Sequence, residues 1–172
     1  MKSDDLRLFL LLLALGGANV APAQGLIGAK HISSALAHEA VGAAVAACAK
    51  SGYAVTAVIV NSDGVRQAML RGDGAAVHTL DSAYAKAYTA ASLAPVRKDD
   101  STKAIAERIA KTPGVSTAGL SSLPFINFTP GGVTIMTGAE AIGGIGVGGA
   151  PGGNLDDDCA RAALALIRDR MK

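Results

Sequence analysis

The sequence predicts one α+β domain with a mainly antiparallel sheet flanked by helices, in the order αββααβββα. Three observations carry this. β-branched runs come in pairs joined by short turns, as hairpins do. Alanine-rich stretches of helical length stand before, between and after those pairs. The 172 residues include 21 glycines but only three Tyr, three Phe and no Trp. A chain of that size forms one core, here built from Ala, Val, Ile and Leu, whose small side chains let elements approach closely.

Each element has a local reason. His31 to Ser51 is alanine-rich and ends in Ser51-Gly52, a helix stop. Tyr53 to Asn61 is β-branched, Ser62-Asp63-Gly64 is a turn, and Val65 to Arg71 resumes an extended pattern, which reads as a hairpin. Its first strand is apolar on nearly both faces, as a central strand covered by helices is. After the Gly72-Asp73-Gly74-Ala75 turn, a helix opens near Thr79, whose hydroxyl can cap it, and stops before Pro95. Ser101 to Lys111 is a shorter helix ended by Pro113-Gly114.

Leu123 to Thr129, the Pro130-Gly131-Gly132 turn and Val133 to Met136 read as a second hairpin, followed by a strand over Ala141 to Val147. That last strand is rich in glycine, which predicts that another backbone or a flat ligand presses against it. Asp156-Asp157-Asp158 open the final helix, where capping and a solvated loop are the plain reading of the acidic run.

The amino terminus has an apolar stretch from Leu8 to Leu15 and then Ala21-Pro22-Ala23, a small-x-small cleavage pattern. It predicts a signal peptide over residues 1–23 and an exported domain over 24–172, periplasmic or secreted, with no membrane span after cleavage. Cys48 and Cys159 stay in that domain, where an oxidising compartment permits a disulfide; two buried thiols fit the pattern as well. The net charge of +2 is spread along the chain, so nucleic-acid binding is disfavoured.

The glycine-rich segment Gly143 to Gly153 lacks the Lys-Ser/Thr of a phosphate loop. No nucleophile elbow or cysteine-protease signature is present either, so no catalytic residue is assigned. The histidines offer more. His31 and His38 lie seven apart on the expected first helix, roughly 10 Å along its axis, too far to share one small ion. His38 and His78 are each a candidate single ligand to iron. His78 precedes the expected Thr79 cap, beside Arg71 and Lys86, whose charges suit the carboxylates of an amphipathic ligand. Tyr84, Tyr88 and Met69 suit its apolar body. Haem has that chemistry. Ordinary packing accounts for Tyr84 and Tyr88 equally well, and Lys86 equally suits a solvated surface.

Four stretches, Val58 to Ala75, Ala83 to Ser92, Phe128 to Ile135 and Ala141 to Leu164, together resemble the GlcG/HbpS-like haem-binding family, which includes the C-terminal domain of PduO-type proteins. The resemblance covers nearly all of residues 24–172. It implies a profilin-like antiparallel sheet flanked by helices, assembly into homo-oligomers, and haem as cofactor. It also implies a role in haem storage, transfer or sensing with no covalent chemistry of its own. The rival expectation is a cofactor-free accessory module that assembles with a periplasmic oxidoreductase of alcohol or hydroxy-acid oxidation. The cofactor-binding candidates are His38, His78, Thr79, Arg71, Lys86 and Tyr88. The sequence departs from the family at Phe125-Ile126-Asn127-Phe128, where relatives often carry a glycine-rich strand.

Overall fold

The computed structural model describes residue 25 and residues 28–171. The segment read as a signal peptide lies outside the described residues. Helix α1 (Ser34–Ala49) starts three residues later than the expected boundary, because Ser33 is its cap: the Ser33 hydroxyl accepts from Leu36 N–H at 3.2 Å. It ends at a turn closed by Gly52, whose φ of 79° suits glycine. Strands β1 (Thr56–Asn61) and β2 (Arg66–Arg71) form the expected hairpin. The Asn61 side-chain oxygen accepts from the Asp63 and Val65 amides at 3.0 and 2.9 Å, which folds the chain back.

Helix α2 (Thr79–Val96) carries Pro95 inside its last turn rather than stopping before it. Helix α3 (Thr102–Ala110) is capped by Ser101, and a single turn, α4 (Ala118–Ser121), follows. The sheet closes with β3 (Gly132–Thr137) and β4 (Glu140–Gly148), and α5 (Gly153–Ile167) runs into a 3₁₀ turn at Arg168–Arg170. The four strands are ordered β2-β1-β4-β3 and are antiparallel throughout. The expected strand over Leu123 to Thr129 does not form. Phe125 sits at φ 64°, which turns the chain out of extended geometry. Thr89 on α2 then takes the local polar groups: its hydroxyl accepts from Asn127 N–H at 2.9 Å and lies 3.3 Å from the Phe125 carbonyl.

The sheet separates two packed layers. On one face α1 and α5 cover Ala57, Ile59, Ile145 and Val147, with Val41, Ile135 and Ile167 in the same core. Cys48 of α1 and Cys159 of α5 form a disulfide there, with Cα atoms 5.6 Å apart. On the other face α2 packs Ala83, Ala87 and Ala91 against Val58 and Val60. The glycines of β4 explain how closely it does so. A Cβ at Gly146 would lie 2.0 Å from the Ala83 carbonyl oxygen, and one at Gly144 would lie 2.4 Å from that of Ala87. The partner pressing on the glycine strand is therefore the α2 backbone, and no slot for a flat ligand exists between them.

Candidate functional site

The residues selected from the sequence do not converge on one concavity. His38 is exposed on α1 and His78 is exposed at the start of α2, so the sheet stands between them. Thr79 is buried and does not cap α2. Its hydroxyl lies 2.7 Å from that of Thr56 on β1 and 2.6 Å from the Ala76 carbonyl, which pins the helix start to the sheet. Arg71 is exposed, and its guanidinium donates to the Ala75 carbonyl, from Nε at 2.7 Å, closing the Gly72–Ala75 turn.

Lys86 is 4% exposed. Its ammonium donates to Asp156 Oδ2 at 2.7 Å and to the Val147 carbonyl at 3.0 Å, while Asp156 Oδ1 accepts from Ala150 N–H at 3.0 Å. This group is neither a solvated charge nor a cation open to a ligand carboxylate; it clamps α2 to the end of β4 and the start of α5. Asp156 and Asp157 are correspondingly buried, so the acidic run is only partly a solvated cap. Tyr88 joins Tyr84 and Phe125 in a ring cluster with centroids 4.9 to 6.1 Å apart, and Arg66 stacks 3.5 Å over Tyr84. This cluster fixes the irregular 123–129 segment to α2.

Two concavities lie around the C-terminal turn. One cleft of about 440 Å³ runs between β3 and α5, with Ile135 and Leu164 in its wall and Asp100 and Arg161 at its polar end. Arg161 donates to Asp157 at 2.7 Å and to Asp100 at 3.0 Å. Burial alone would lower the Arg161 pKa, yet these two carboxylates raise it; Asp100, whose burial acts the other way, is held below its ordinary value by the bonds from Arg161 and Ser101.

The second cleft, about 350 Å³, is built by three segments that are distant in sequence. The lead-in to α1 supplies Lys30, His31 and Ile32; the β3–β4 hairpin supplies Thr137 and Ile142; the C-terminal turn supplies Arg170 and Met171. His31 precedes α1 instead of sharing its helix with His38, and it lines this cleft. The two rim cations hold surface carboxylates: Lys30 lies 2.9 Å from Glu140, and Arg170 makes a two-pronged contact with Glu39 at 2.5 and 2.8 Å. The hydrogen bonds from Arg170 lower the Glu39 pKa.

An imidazole, a thioether, two rim cations and an apolar lining form one donor set. Both of its cations are already paired, Lys30 with Glu140 and Arg170 with Glu39. Among the described residues no group of three or more His, Cys, Asp or Glu is placed to hold a bare metal ion. An iron that brings its own macrocycle needs only one or two protein donors, and His31 and Met171 are the residues of this lining that carry such groups. The sequence weighs His31 beside His38 and favours His38 and His78 as the candidate ligands, because the surroundings of His31 come from the opposite end of the chain.

A family model described as haem degrading protein HbpS-like matches residues 32–165. The crystal structure of HbpS is similar to this chain at 35% identity, covering 86% of this chain and 97% of that one with a TM-score of 0.73. A double mutant of Streptomyces reticuli HbpS is also 35% identical, covering 88% and 97%, with a TM-score of 0.72. The PduOC:heme complex is 26% identical, covering 80% and 96%, with a TM-score of 0.68. No curated protein matches the chain.

Proposed function

The chain belongs to the HbpS-like family, and from that premise we propose that it binds haem in the His31 cleft. The observation that carries the reading is the joint presence of His31, Lys30, Arg170 and an apolar wall in one concavity. When bound, haem would supply the iron; His31 is the residue that would offer it a nitrogen, Ile32, Leu36 and Ile142 would exclude water from the ring, and Lys30 and Arg170 would exchange Glu140 and Glu39 for the propionates. A cleft of about 350 Å³ is at the low end for ligand sites, so one edge of the macrocycle stays outside it. Haem solvated at one edge suits storage or transfer, because it can be handed on without unfolding the site.

The protein works outside the cytoplasm in this reading. The Ala21-Pro22-Ala23 pattern and the Cys48–Cys159 disulfide both support export, since such pairs persist in oxidising compartments. Homo-oligomerisation belongs to the same proposal and is supported by the β2 edge, which leaves Met69 and Leu70 exposed.

Hemin titration of the purified protein tests the site. A Soret shift that His31→Ala diminishes, and that His38→Ala and His78→Ala leave intact, supports the His31 cleft. A shift that follows His38 or His78 moves the ligand to that histidine. No shift with any protein refutes haem binding.

A further inference from the structure

We propose that β2 pairs, along its open edge, with β2 of a second copy of this chain, antiparallel and with Leu70 at the two-fold axis, so that the two sheets join into one. The inference rests on the homo-oligomeric part of the reading above, for which it names the surface and the register, and does not depend on haem. The sheet, ordered β2-β1-β4-β3, has two edges, and they differ. The outer side of β3 is occupied: Thr134 N–H donates to the Asp100 carbonyl at 2.9 Å, and Ser101 bridges Val133. Among the described residues no strand pairs with the outer side of β2. One open edge per copy gives a pair that closes on itself rather than a fibre.

Backbone geometry selects the register. Gly72 N–H donates to the Val55 carbonyl at 2.9 Å, and the antiparallel alternation counted from that bond turns the backbone groups of Leu70 and Ala68 toward β1. Those of Met69 and Arg71 point away, so two copies exchange hydrogen bonds between these outward residues. Ala68 pairs with Ile59 and Arg66 with Val60, which leaves Gln67 as the extra residue of a bulge. Met69 opposite Arg71 of the second copy keeps the pairing clear of that bulge and sets Leu70 against its own symmetry mate.

The side chains fit the same register. Met69 and Leu70 are 50% and 38% exposed, and they flank the edge on opposite faces: Met69 lies beside Val58 of the α2 layer, Leu70 beside Ala57 of the α1–α5 layer. Helix α2 packs chiefly on β1, β4 and β3, so the face of β2 around Met69 is open. Charged side chains often guard a free edge, but both arginines of β2 are turned onto their own chain. Arg66 stacks 3.5 Å over the Tyr84 ring, and Arg71 donates to the Ala75 carbonyl. In the Leu70-centred register the Arg66 end of the strand meets the Gly72–Ala75 turn of the second copy, where Asp73 is exposed. Neither Arg66 nor Asp73 has an ion-pair partner among the described residues, so the two complement each other across the interface.

The test is covalent capture and sedimentation velocity on the full chain. Leu70→Cys should give a covalent dimer under mild oxidation, because a non-hydrogen-bonded antiparallel pair holds its Cα atoms about 4.5 Å apart, within disulfide reach. Ala68→Cys, which faces Gly72 of the second copy in this register, should not. The wild type should sediment as a dimer or a larger assembly. Asp73→Arg should raise the dissociation constant by about tenfold or more, and adding Arg66→Asp should restore it. Met69→Pro removes a donor that β1 does not use, so it should abolish pairing and keep the wild-type circular dichroism; if it misfolds, Leu70→Cys and the charge swap decide. A wild type that assembles while Leu70→Cys stays uncrosslinked and the charge variants change nothing overturns the β2 pairing and leaves homo-oligomerisation standing. A wild type that is monomeric at every concentration, with no crosslink at Leu70→Cys, overturns both.

Discussion

Removing the Cys48–Cys159 bond should cost this protein a large share of its stability. The bridge spans 111 residues of sequence and joins the helices that cover one face of the sheet. In the chain-entropy treatment a loop of that length restricts the unfolded state by about 5 kcal/mol, and measured values commonly fall to about 2–4 kcal/mol. Against a typical total of about 5–15 kcal/mol this is a large fraction. For a chain of this size it corresponds to a drop in Tm of roughly 10 °C. The assay is urea and thermal unfolding of the wild type with and without reductant, beside the Cys48→Ala/Cys159→Ala variant. Reduced and variant proteins should fall together in midpoint, and their m-values should rise, because the uncrosslinked unfolded chain exposes more surface. A double variant within about 1 kcal/mol of the oxidised wild type, with an unchanged m-value, would refute the long-loop argument.

Lys86→Ala leaves Asp156 buried without its cation and should destabilise by about 3–5 kcal/mol, while Lys86→Met with Asp156→Leu should recover much of it; a single variant as stable as wild type in urea would show the clamp carries nothing. The same double variant should retain the hemin Soret shift, since Lys86 faces Asp156 and not the cleft. Acid should loosen the C-terminal turn. The Glu39 pKa is lowered below its ordinary 4.5 by Arg170, so the pair stabilises above that ordinary value and the contribution fades as pH falls through the lower folded value. Amide exchange across residues 168–171 should accelerate there; exchange that stays flat from pH 5 to strong acid, corrected for intrinsic rates, would contradict the assignment.

Local chemistry made the first hairpin legible. Asn61 through Gly64 dictates a reversal, and β1 is apolar on both faces because helices cover both. The α+β class and antiparallel sheet followed from such pairs. The segment 123–129 was not legible in the same way: its β-like composition is real, but Thr89, 36 residues upstream of Phe125, captures the polar groups that a strand would have paired. The glycines of β4 announced a close neighbour, and only the packed structure identifies it as the α2 backbone. Lys86 and Asp156 stand 70 residues apart, so nothing local distinguishes Lys86 from a surface lysine. The cleft was hidden for the same reason. Residues 30–36, the β3–β4 turn and Arg170–Met171 meet through topology, and each segment alone looks like an ordinary helix lead-in, turn or chain end.

The location of the haem is read most directly by a hydrogen-exchange footprint of the protein with and without one equivalent of hemin. Protection concentrated at residues 30–36, 137–142 and 168–171, with α2 and the Gly72–Ala75 turn unchanged, is the predicted result. Protection centred on the start of α2 and the Arg71 turn, with the His31 cleft unaffected, would contradict the account.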